Sequence, residues 1–339
     1  MGRMVDGEWI KGWHDNGKTS GRYQRATTTF RNFVTADGSS GFKAEPGRYH
    51  LYVSHACPWA HRTMVFRALR KLEDVISVSI VDPLMSDEGW HFSDGPGCIP
   101  DTVNGARYLR EIYKKARDDY TGRVSVPVLW DKRERTIVNN ESPEIVRMLN
   151  AEFNEWGDGD PDFYPPDLRD EIDAINEPVY ENLNNGVYKT GFAQTQEAYE
   201  EAFDALFDTL DMLEARLETR RYLAGDRMTE ADWRAFPTLV RFDAVYVGHF
   251  KCNKRRIEEY ANLSNYLREL YQYPGVADTV NMEHIKRHYY ASHESINPFR
   301  IVSKGPMLDF TRPHDRNRLP TAPAGRPGAN GVEAEAVPV

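Results

Sequence analysis

The sequence predicts two domains, an α/β domain followed by an all-helical domain. Three observations lead to this prediction. Strand and helix patterns run in the order β-α-β-α-β-β-α through residues 46–152. An acidic stretch rich in glycine and proline covers residues 153–166, as expected of a linker. Through residues 167–311 the pattern becomes helical. The length of 339 residues accommodates two domains of ordinary size.

Each element of the first domain has a local signal. Residues 49–54 alternate as in a strand, and Pro58 opens a helix over 58–73 because proline suits the first helical position. A β-branched run at 75–81 predicts a second strand, so the domain opens as a β-α-β unit with a right-handed crossover. The remaining signals predict a helix at 106–119, strands at 125–131 and 136–138, and a helix from Asn140 to about Leu149. This order is that of a thioredoxin-like α/β domain.

The second domain is predicted to be all-helical, and two further segments flank the folded body. Its helices are predicted at roughly 167–190, 196–219, 229–247, 256–272 and 282–291. Residues 1–45 are polar and glycine-rich with scattered aromatic side chains, which predicts an extended arm draped over the body. Residues 312–339 are rich in proline, glycine, alanine and glutamate without periodicity, and we expect them to be disordered.

Composition and charge argue against several classes of protein. The formal net charge of −9 argues against a nucleic-acid-binding protein, which normally carries a basic surface. No apolar run approaches the roughly 20 residues that span a membrane, and the N-terminus lacks the apolar core of a signal peptide. Three widely spaced cysteines argue against a disulfide framework. We therefore expect a cytoplasmic protein, and no metal, since no paired ligand spacing suggests zinc.

Cys57 lies at the junction of the first strand and the first helix, directly before Pro58. The free N–H groups and positive dipole end of that helix point at its sulfur and stabilise a thiolate, the nucleophilic form of cysteine. A cysteine that only packs in the core is the alternative, but the strand, Cys-Pro and helix context favours chemistry. Residue 60 is alanine, so the second cysteine of a dithiol oxidoreductase is missing. Cys57 must therefore be resolved by an external thiol, or form an adduct that another molecule removes.

Two further motifs indicate what the external thiol is. Pro127 either starts an edge strand or, as a cis-proline opposite the cysteine, exposes the backbone of Val126 to a peptide-like ligand. Glu141 and Ser142 either cap a helix or hold an amino-acid head group. In the second case the Glu141 carboxylate pairs with the ammonium of the ligand, and the Ser142 hydroxyl binds the carboxylate of the ligand. A γ-glutamyl group carries both charges. If both motifs bind ligand, glutathione is the natural thiol, with its sulfur beside Cys57.

Three motifs together resemble a known family. They are Ser54-His55-Ala56-Cys57-Pro58-Trp59-Ala60, Val126-Pro127-Val128-Leu129-Trp130-Asp131 and Asn140-Glu141-Ser142. With these motifs the chain resembles the glutathione transferase superfamily, and most closely its Xi class, the glutathionyl-hydroquinone reductases. Further matches lie at 182–193, 241–246 and 284–290, and the resemblance covers about residues 40–310.

The resemblance implies a glutathione transferase fold, a homodimer and glutathione as co-substrate. It also implies that Trp90 and Arg123 help to hold glutathione. Arg123 suits this role as a cation shortly before Val126, where it could meet the glycyl carboxylate. Trp90 lies in a loop insertion, and a packing aromatic remains the alternative for it.

The implied reaction is the reductive cleavage of a glutathionyl-hydroquinone. The Cys57 thiolate attacks the glutathione sulfur, the hydroquinone leaves, and a second glutathione resolves the mixed disulfide. Tyr188, Tyr246 and Tyr289 are implied to supply hydrogen bonds and a proton to the leaving ring, with Tyr290 as the competitor of Tyr289. An omega-like thiol transferase or dehalogenase is the closest alternative. A non-catalytic interaction module is a more distant one, since it needs no reactive thiol.

Overall fold

The computed structural model describes residues 2–12, 21–23 and 27–321 of the chain. Strands occur in the first part of the chain, and the second part is helical. The strands are β1 (Gly2–Val5), β2 (Glu8–Lys11), β3 (Val34–Thr35), β4 (Phe42–Lys43), β5 (Tyr49–Val53), β6 (Ser77–Ile80), β7 (Val128–Asp131) and β8 (Thr136–Asn139). The helices are α1 (Pro58–Leu69), α2 (Leu109–Ala116), α3 (Ser142–Ala151), α4 (Arg169–Pro178), α5 (Gly186–Gly191), α6 (Gln196–Thr219), α7 (Glu230–Arg241), α8 (Val247–His249), α9 (Ala261–Tyr271) and α10 (Met282–Ser292).

The central sheet of the first domain has the strand order β6-β5-β7-β8. β5 pairs in parallel with β6, with Leu51 opposite Val78, and antiparallel with β7. α1 connects the parallel pair, as predicted. β7 begins at Val128 rather than at residue 125, because Pro127 has no N–H to donate to the sheet. The predicted thioredoxin-like order of elements is confirmed.

α1 is the helix at which the two domains meet. It contacts α3 within the first domain and α7 within the second. Most of its side chains are buried, including Arg62, whose guanidinium donates to Asn184 Oδ1 (2.5 Å) and to the Arg234 carbonyl (2.9 Å). Since Cys57 directly precedes α1, its thiol lies where the domains meet.

The N-terminal arm contains a β-hairpin, where the sequence predicts only an extended segment. Asp6 and Gly7 both have positive φ angles (47° and 75°), the backbone of a tight two-residue hairpin turn. The hairpin pairs β1 with β2, and Met4 N donates to the Gly122 carbonyl of the first domain (2.9 Å). The arm also reaches the second domain, where Gln194 N donates to the Gly21 carbonyl (3.0 Å). Its backbone groups are thus satisfied partly by its own hairpin and partly by both domains.

Two of the predicted long helices are interrupted by π-helical turns. The helix predicted at 167–190 consists of α4, a π-helical turn at Val179–Asn184 and α5, because Pro178 cannot donate to a regular helix. The helix predicted at 229–247 consists of α7, a π-helical turn at Phe242–Tyr246 and α8. Such turns occur frequently at functional sites. In the described parts of the chain, no helix is both long and apolar enough to cross a membrane.

The stretch after residue 311 is packed as far as it is described, contrary to the predicted disorder of residues 312–339. Arg316 lies in a 3-10 turn and is fully buried. Its guanidinium donates to three main-chain carbonyls at the C-terminal end of α6. Composition does not reveal this packing, because one cation satisfying the carbonyls of a helix end is enough to hold the segment. The rest of the predicted tail, residues 322–339, lies outside the described residues.

Replacing Arg316 by alanine should lower the free energy of unfolding by about 3 kcal/mol, because buried carbonyls lose a charged donor. Denaturant titration followed by tryptophan fluorescence measures this loss. Arg318→Ala is the matched control, since the Arg318 side chain is 43% exposed, and we expect it to change stability by less than about 0.5 kcal/mol. An Arg316→Ala variant as stable as the native protein would contradict the packing argument.

Candidate active site

A cleft of about 200 Å³ lies between the two domains, beside the start of α1. The first domain lines it with Cys57, Trp90, Arg123 and Val126. The second domain contributes Tyr188 from α5. The structure therefore brings together, in one cleft, residues that lie up to 131 positions apart and that the sequence assigns to a single site.

Cys57 precedes α1 with an extended backbone (φ −77°, ψ 120°), and Pro58 occupies the first helical position as predicted. The first-turn N–H groups of α1 have no acceptor within the helix, so this end of α1 favours a negative charge on the sulfur. The thiol donates to the Val126 carbonyl at 3.6 Å. The Val126–Pro127 peptide bond is cis, which confirms the interpretation of Pro127 as a cis-proline opposite the cysteine.

The three predicted tyrosines form one hydrogen-bonded cluster. The Tyr289 hydroxyl lies 2.5 Å from that of Tyr188 and 3.0 Å from that of Tyr246. Only Tyr188 lines the cleft, and the other two lie behind it with 0–1% of their surface exposed. Tyr290 is outside the cluster, because its hydroxyl donates to the Ala244 carbonyl (3.2 Å). The structure thus places Tyr289, and not Tyr290, in the tyrosine cluster, although neither of them lines the cleft.

Burial keeps these phenols protonated. It raises the pKa of Tyr246 to about 12, and it raises the pKa values of Tyr188 and Tyr289 well above the ordinary value. Tyr246, Cys57 and Tyr23 add to the rise in the pKa of Tyr188, and the hydrogen bond with Tyr289 opposes it. At neutral pH the cluster therefore presents an O–H donor to the cleft, backed by two further O–H groups that can reorient along the chain.

Glu141 and Ser142 lie at the N-terminus of α3, beside the cleft rather than in its wall. The Glu141 carboxylate accepts from the hydroxyl of Thr28, an arm residue that does line the cleft (2.8 Å). The Ser142 hydroxyl is buried, 1% exposed, and has no hydrogen-bond partner among the described residues. A buried hydroxyl without a partner at a helix N-terminus fits an anionic ligand group.

Trp90 and Arg123 both line the cleft. The Trp90 indole stacks on the imidazole of His288, with ring centroids 4.8 Å apart and planes 23° apart. Trp90 is 6% exposed, so it is mostly packed and presents only a small part of its surface to the cleft. Arg123 places a cation on the wall that also carries Val126.

Several cleft residues escape sequence reasoning. Tyr23 of the arm stacks on Tyr188 and on Phe192, with centroid distances of 6.1 and 5.8 Å. His288 and His293, the latter just after α10, line the cleft as well. Nothing local marks Tyr23, because its partners lie 165 residues and more away in a segment without periodicity. His288 belongs to the matched stretch at 284–290, which is the one signal that could have identified it.

Two family models match this chain. The model described as glutathione S-transferase, N-terminal domain, matches residues 56–152. The model described as glutathione S-transferase, C-terminal domain, matches residues 196–269. The chain belongs to the glutathione S-transferase family. The N-terminal match begins beside Cys57 and includes the other predicted site residues of the first domain.

Within the glutathione S-transferase family, the chain is similar to two named reductases and to a solved Xi class structure. Glutathionyl-hydroquinone reductase PcpF of Sphingobium chlorophenolicum is 55% identical over 306 residues, which cover 90% of this chain and 96% of PcpF. Glutathionyl-hydroquinone reductase YqjG of Escherichia coli (strain K12) is 52% identical over 324 residues, which cover 94% of this chain and 99% of YqjG. The Xi class transferase from Natrialba magadii, 52% identical, superposes with a TM-score of 0.89 over 95% of this chain and 98% of its own. The resemblance to the Xi class is thereby confirmed.

YqjG has also been solved with glutathione bound. That structure superposes on this chain with a TM-score of 0.86 at 50% identity, covering 93% of this chain and 99% of its own. A protein with the same fold as this chain therefore binds glutathione.

Proposed function

We propose that this protein is a glutathionyl-hydroquinone reductase. The observation that carries the proposal is the cleft itself. In this cleft the Cys57 thiol shares a wall with Val126, and Tyr188 is connected by hydrogen bonds through Tyr289 to Tyr246. The names of PcpF and YqjG agree with it. A thiol transferase needs the cysteine and a glutathione site only, whereas a leaving hydroquinone also needs a proton donor. The tyrosine cluster therefore favours the reductase over the omega-like alternative.

Glutathione spans the first-domain side of the cleft in this proposal. Its γ-glutamyl group binds at the N-terminus of α3, with the carboxylate on the unpartnered Ser142 hydroxyl and the ammonium near Glu141. Its cysteinyl backbone pairs with Val126, whose carbonyl already accepts from the Cys57 thiol. Arg123 meets the glycyl carboxylate, and Trp90 packs against the tripeptide. The glutathione sulfur then faces Cys57.

The first chemical step forms a mixed disulfide. The glutathionyl-hydroquinone tautomerises, so that the ring carbon bearing sulfur gains a proton and one ring oxygen becomes a carbonyl. The Cys57 thiolate attacks the glutathione sulfur, the S–S bond forms and the C–S bond breaks. The electron pair of the C–S bond moves into the ring and onto its oxygen, which the Tyr188 hydroxyl protonates. The ring is reduced to free hydroquinone, while two sulfurs are oxidised to a disulfide.

The second step regenerates the enzyme. A second glutathione thiolate attacks the glutathione sulfur of the mixed disulfide, and oxidised glutathione leaves with the return of the Cys57 thiolate. The external thiol is necessary because position 60 carries alanine. The other two cysteines, Cys98 and Cys252, are also free thiols but line no part of this cleft.

Single-turnover mass spectrometry with glutathionyl-menadiol tests the proposal. Native protein should gain one glutathione on Cys57 as free menadiol appears, and the Cys57→Ala variant should do neither. If menadiol is not released while Cys57 exchanges readily with a simple glutathione disulfide, the protein is a thiol transferase. If neither reaction occurs, the interaction module becomes the better interpretation.

Ser142→Ala tests the proposed glutathione position. We expect KM for the glutathionyl-hydroquinone to rise about tenfold with kcat unchanged, because one hydrogen bond to a charged carboxylate is lost. Steady-state kinetics with the glutathionyl-hydroquinone as the varied substrate measures the change. Ser39→Ala, at an exposed arm serine, is the control and should leave KM unaltered. An unchanged KM in Ser142→Ala would place the γ-glutamyl group elsewhere.

The quaternary structure and location of the protein are part of the same proposal. A homodimer is expected from the family, and light scattering on the purified full chain measures it. A cytoplasmic location follows from the need for reduced glutathione at both steps.

A further inference from the structure

Arg241, the last residue of α7, is fully buried and bonded to the turn that carries Cys57. Its Nε donates to the Ala56 carbonyl (3.0 Å) and one Nη donates to the His55 carbonyl (2.8 Å). The other Nη donates to the Pro237 carbonyl within α7 (2.8 Å). The two residues directly before the cysteine are therefore held by a side chain of the opposite domain.

Arg241 also fixes the state of His61, one turn into α1. A guanidinium only donates, so the contact between Arg241 Nη1 and His61 Nδ1 (2.9 Å) makes Nδ1 the acceptor. His61 Nε2 then carries the proton and donates to the Thr279 hydroxyl (2.8 Å), which donates in turn to the Val276 carbonyl (2.6 Å). Burial, with the charge of Arg241 next, lowers the pKa of His61 well below its usual value. The imidazole is thus neutral and leaves the positive charge on Arg241.

That charge has no anionic hydrogen-bond partner in the described chain. Its four acceptors are three main-chain carbonyls and a neutral imidazole. Burying an ion is costly unless an opposite charge compensates it, and buried arginines normally meet a carboxylate. Arg316 shows the other solution, in which carbonyls of a helix end carry the partial negative charge. Two of the carbonyls that accept from Arg241, those of His55 and Ala56, belong instead to the irregular turn that ends at Cys57.

The groups around Cys57 and Arg241 leave this charge in place at neutral pH. The titratable and charged ones among the described residues are Tyr23, His55, His61, Tyr120, Arg123, Tyr188, Tyr246, His284, His288, Tyr289 and His293. Burial lowers the pKa values of His55 and His288 to about 4, so both are neutral. Burial raises the pKa values of Tyr188, Tyr246 and Tyr289, and the charge of Arg241 opposes this rise at Tyr246 and Tyr289. The anion that forms in this environment during the reaction is the Cys57 thiolate.

We propose that Arg241 is a positioning residue, whose guanidinium holds the turn before Cys57 and supplies the buried positive charge that favours the thiolate. The inference goes beyond the proposed function, because it concerns the nucleophile and not the hydroquinone. It makes the second domain part of the activation of a cysteine in the first. A reactive thiolate then depends on the domains being docked, with α1 and α7 in contact.

The pH dependence of Cys57 alkylation by iodoacetamide tests this proposal. The rate is followed by mass spectrometry of the Cys57 peptide in the full-length protein, so Cys98 and Cys252 do not interfere. In Arg241→Met we expect the midpoint of the pH profile to rise by at least about one unit, since the thiolate loses a nearby cation. Alkylation at a pH below the native midpoint then slows about tenfold. Because the assay contains no hydroquinone, its result is separate from the fate of the proposed function.

Two further variants distinguish positioning from general loosening of the fold. Arg241→Lys keeps the positive charge but loses the forked set of donors of a guanidinium. We therefore expect an alkylation midpoint within about 0.5 unit of native and a kcat/KM for glutathionyl-hydroquinone cleavage lowered about tenfold. Arg62→Met removes another buried arginine between the domains, one whose guanidinium donates to Asn184 Oδ1 and to the Arg234 carbonyl. It should leave the midpoint in place.

Three results would overturn the proposal. They are an unchanged midpoint in Arg241→Met, an equal shift in Arg62→Met, and an Arg241→Lys variant whose midpoint rises as far as that of Arg241→Met. If Arg241→Met does not fold, Arg241→Lys decides alone. If Arg241→Lys keeps the native alkylation midpoint but has a reduced kcat/KM for glutathionyl-hydroquinone cleavage, the proposal is supported. If both values are native, the proposal is contradicted.

Discussion

Replacing Cys57 by serine is expected to reduce kcat/KM for a glutathionyl-hydroquinone by at least about 10³-fold, as removal of a nucleophile does in other covalent enzymes. A serine hydroxyl is not ionised at this helix end and cannot form the mixed disulfide that both steps require. Cys57 is only partly buried, so the substitution should leave the fold intact. Product release measured by chromatography gives the rate, and circular dichroism checks the fold.

Cys98→Ser is the matched control for this loss. Cys98 is also a partly buried free thiol, but it lies outside the cleft. We expect native kinetics from it. If Cys57→Ser retains a tenth or more of the native activity, the covalent mechanism is wrong, and a direct attack by free glutathione would replace it.

The second large effect is expected at Tyr289. Tyr289→Phe removes the hydroxyl that joins Tyr188 to Tyr246, so the donor facing the cleft loses its partner at 2.5 Å. We expect kcat for glutathionyl-hydroquinone cleavage to fall about 10²-fold, within the range of general acid catalysis. Exchange of Cys57 with a simple glutathione disulfide should stay native, because a thiolate leaving group needs no proton from a phenol.

Tyr290→Phe tests whether this effect belongs to the cluster. The Tyr290 hydroxyl bonds the Ala244 carbonyl and has no part in the tyrosine chain, so cleavage should stay within about twofold of native. Equal losses in both variants would show that α10 packing, not proton supply, is responsible. Loss of disulfide exchange in Tyr289→Phe would contradict the proposal that the tyrosines serve the hydroquinone while residues of the first domain hold glutathione.

The arm gives the cleft a feature that the two family domains alone do not supply. Thr28 bonds the Glu141 carboxylate, where we propose that glutathione binds, and Tyr23 stacks on Tyr188, which we propose faces the hydroquinone. The arm thus contacts both proposed ends of the site. Its aromatic side chains, which look merely scattered in the sequence, include one in the wall of the cleft.

Local chemistry made the nucleophile predictable from the sequence. A cysteine before Pro58, between a strand and a helix, is expected at a helix N-terminus, and the structure places it at the N-terminus of α1. Alanine at position 60 excluded a neighbouring resolving thiol without any structure. For Pro127 the sequence left an edge-strand start and a cis-proline open, and the structure shows the cis bond.

What lies far apart in the chain was decided only by the tertiary structure. Tyr188 and Tyr289 are 101 residues apart and were linked beforehand by the family resemblance alone. The choice of Tyr289 over Tyr290 depends on the rotation of α10 against the turn at Phe242–Tyr246, which no local pattern encodes.

Arg316 and Arg241 are further examples. Arginine side chains are mostly exposed in proteins, but these two are buried, and their guanidinium groups donate to carbonyls at a helix end and at the turn before Cys57. The sequence by itself therefore determined the place of the proposed nucleophile and the order of elements, since those depend on neighbouring residues. Packing between the domains decided which side chains surround the nucleophile, since those contacts exist only once α1 and α7 meet.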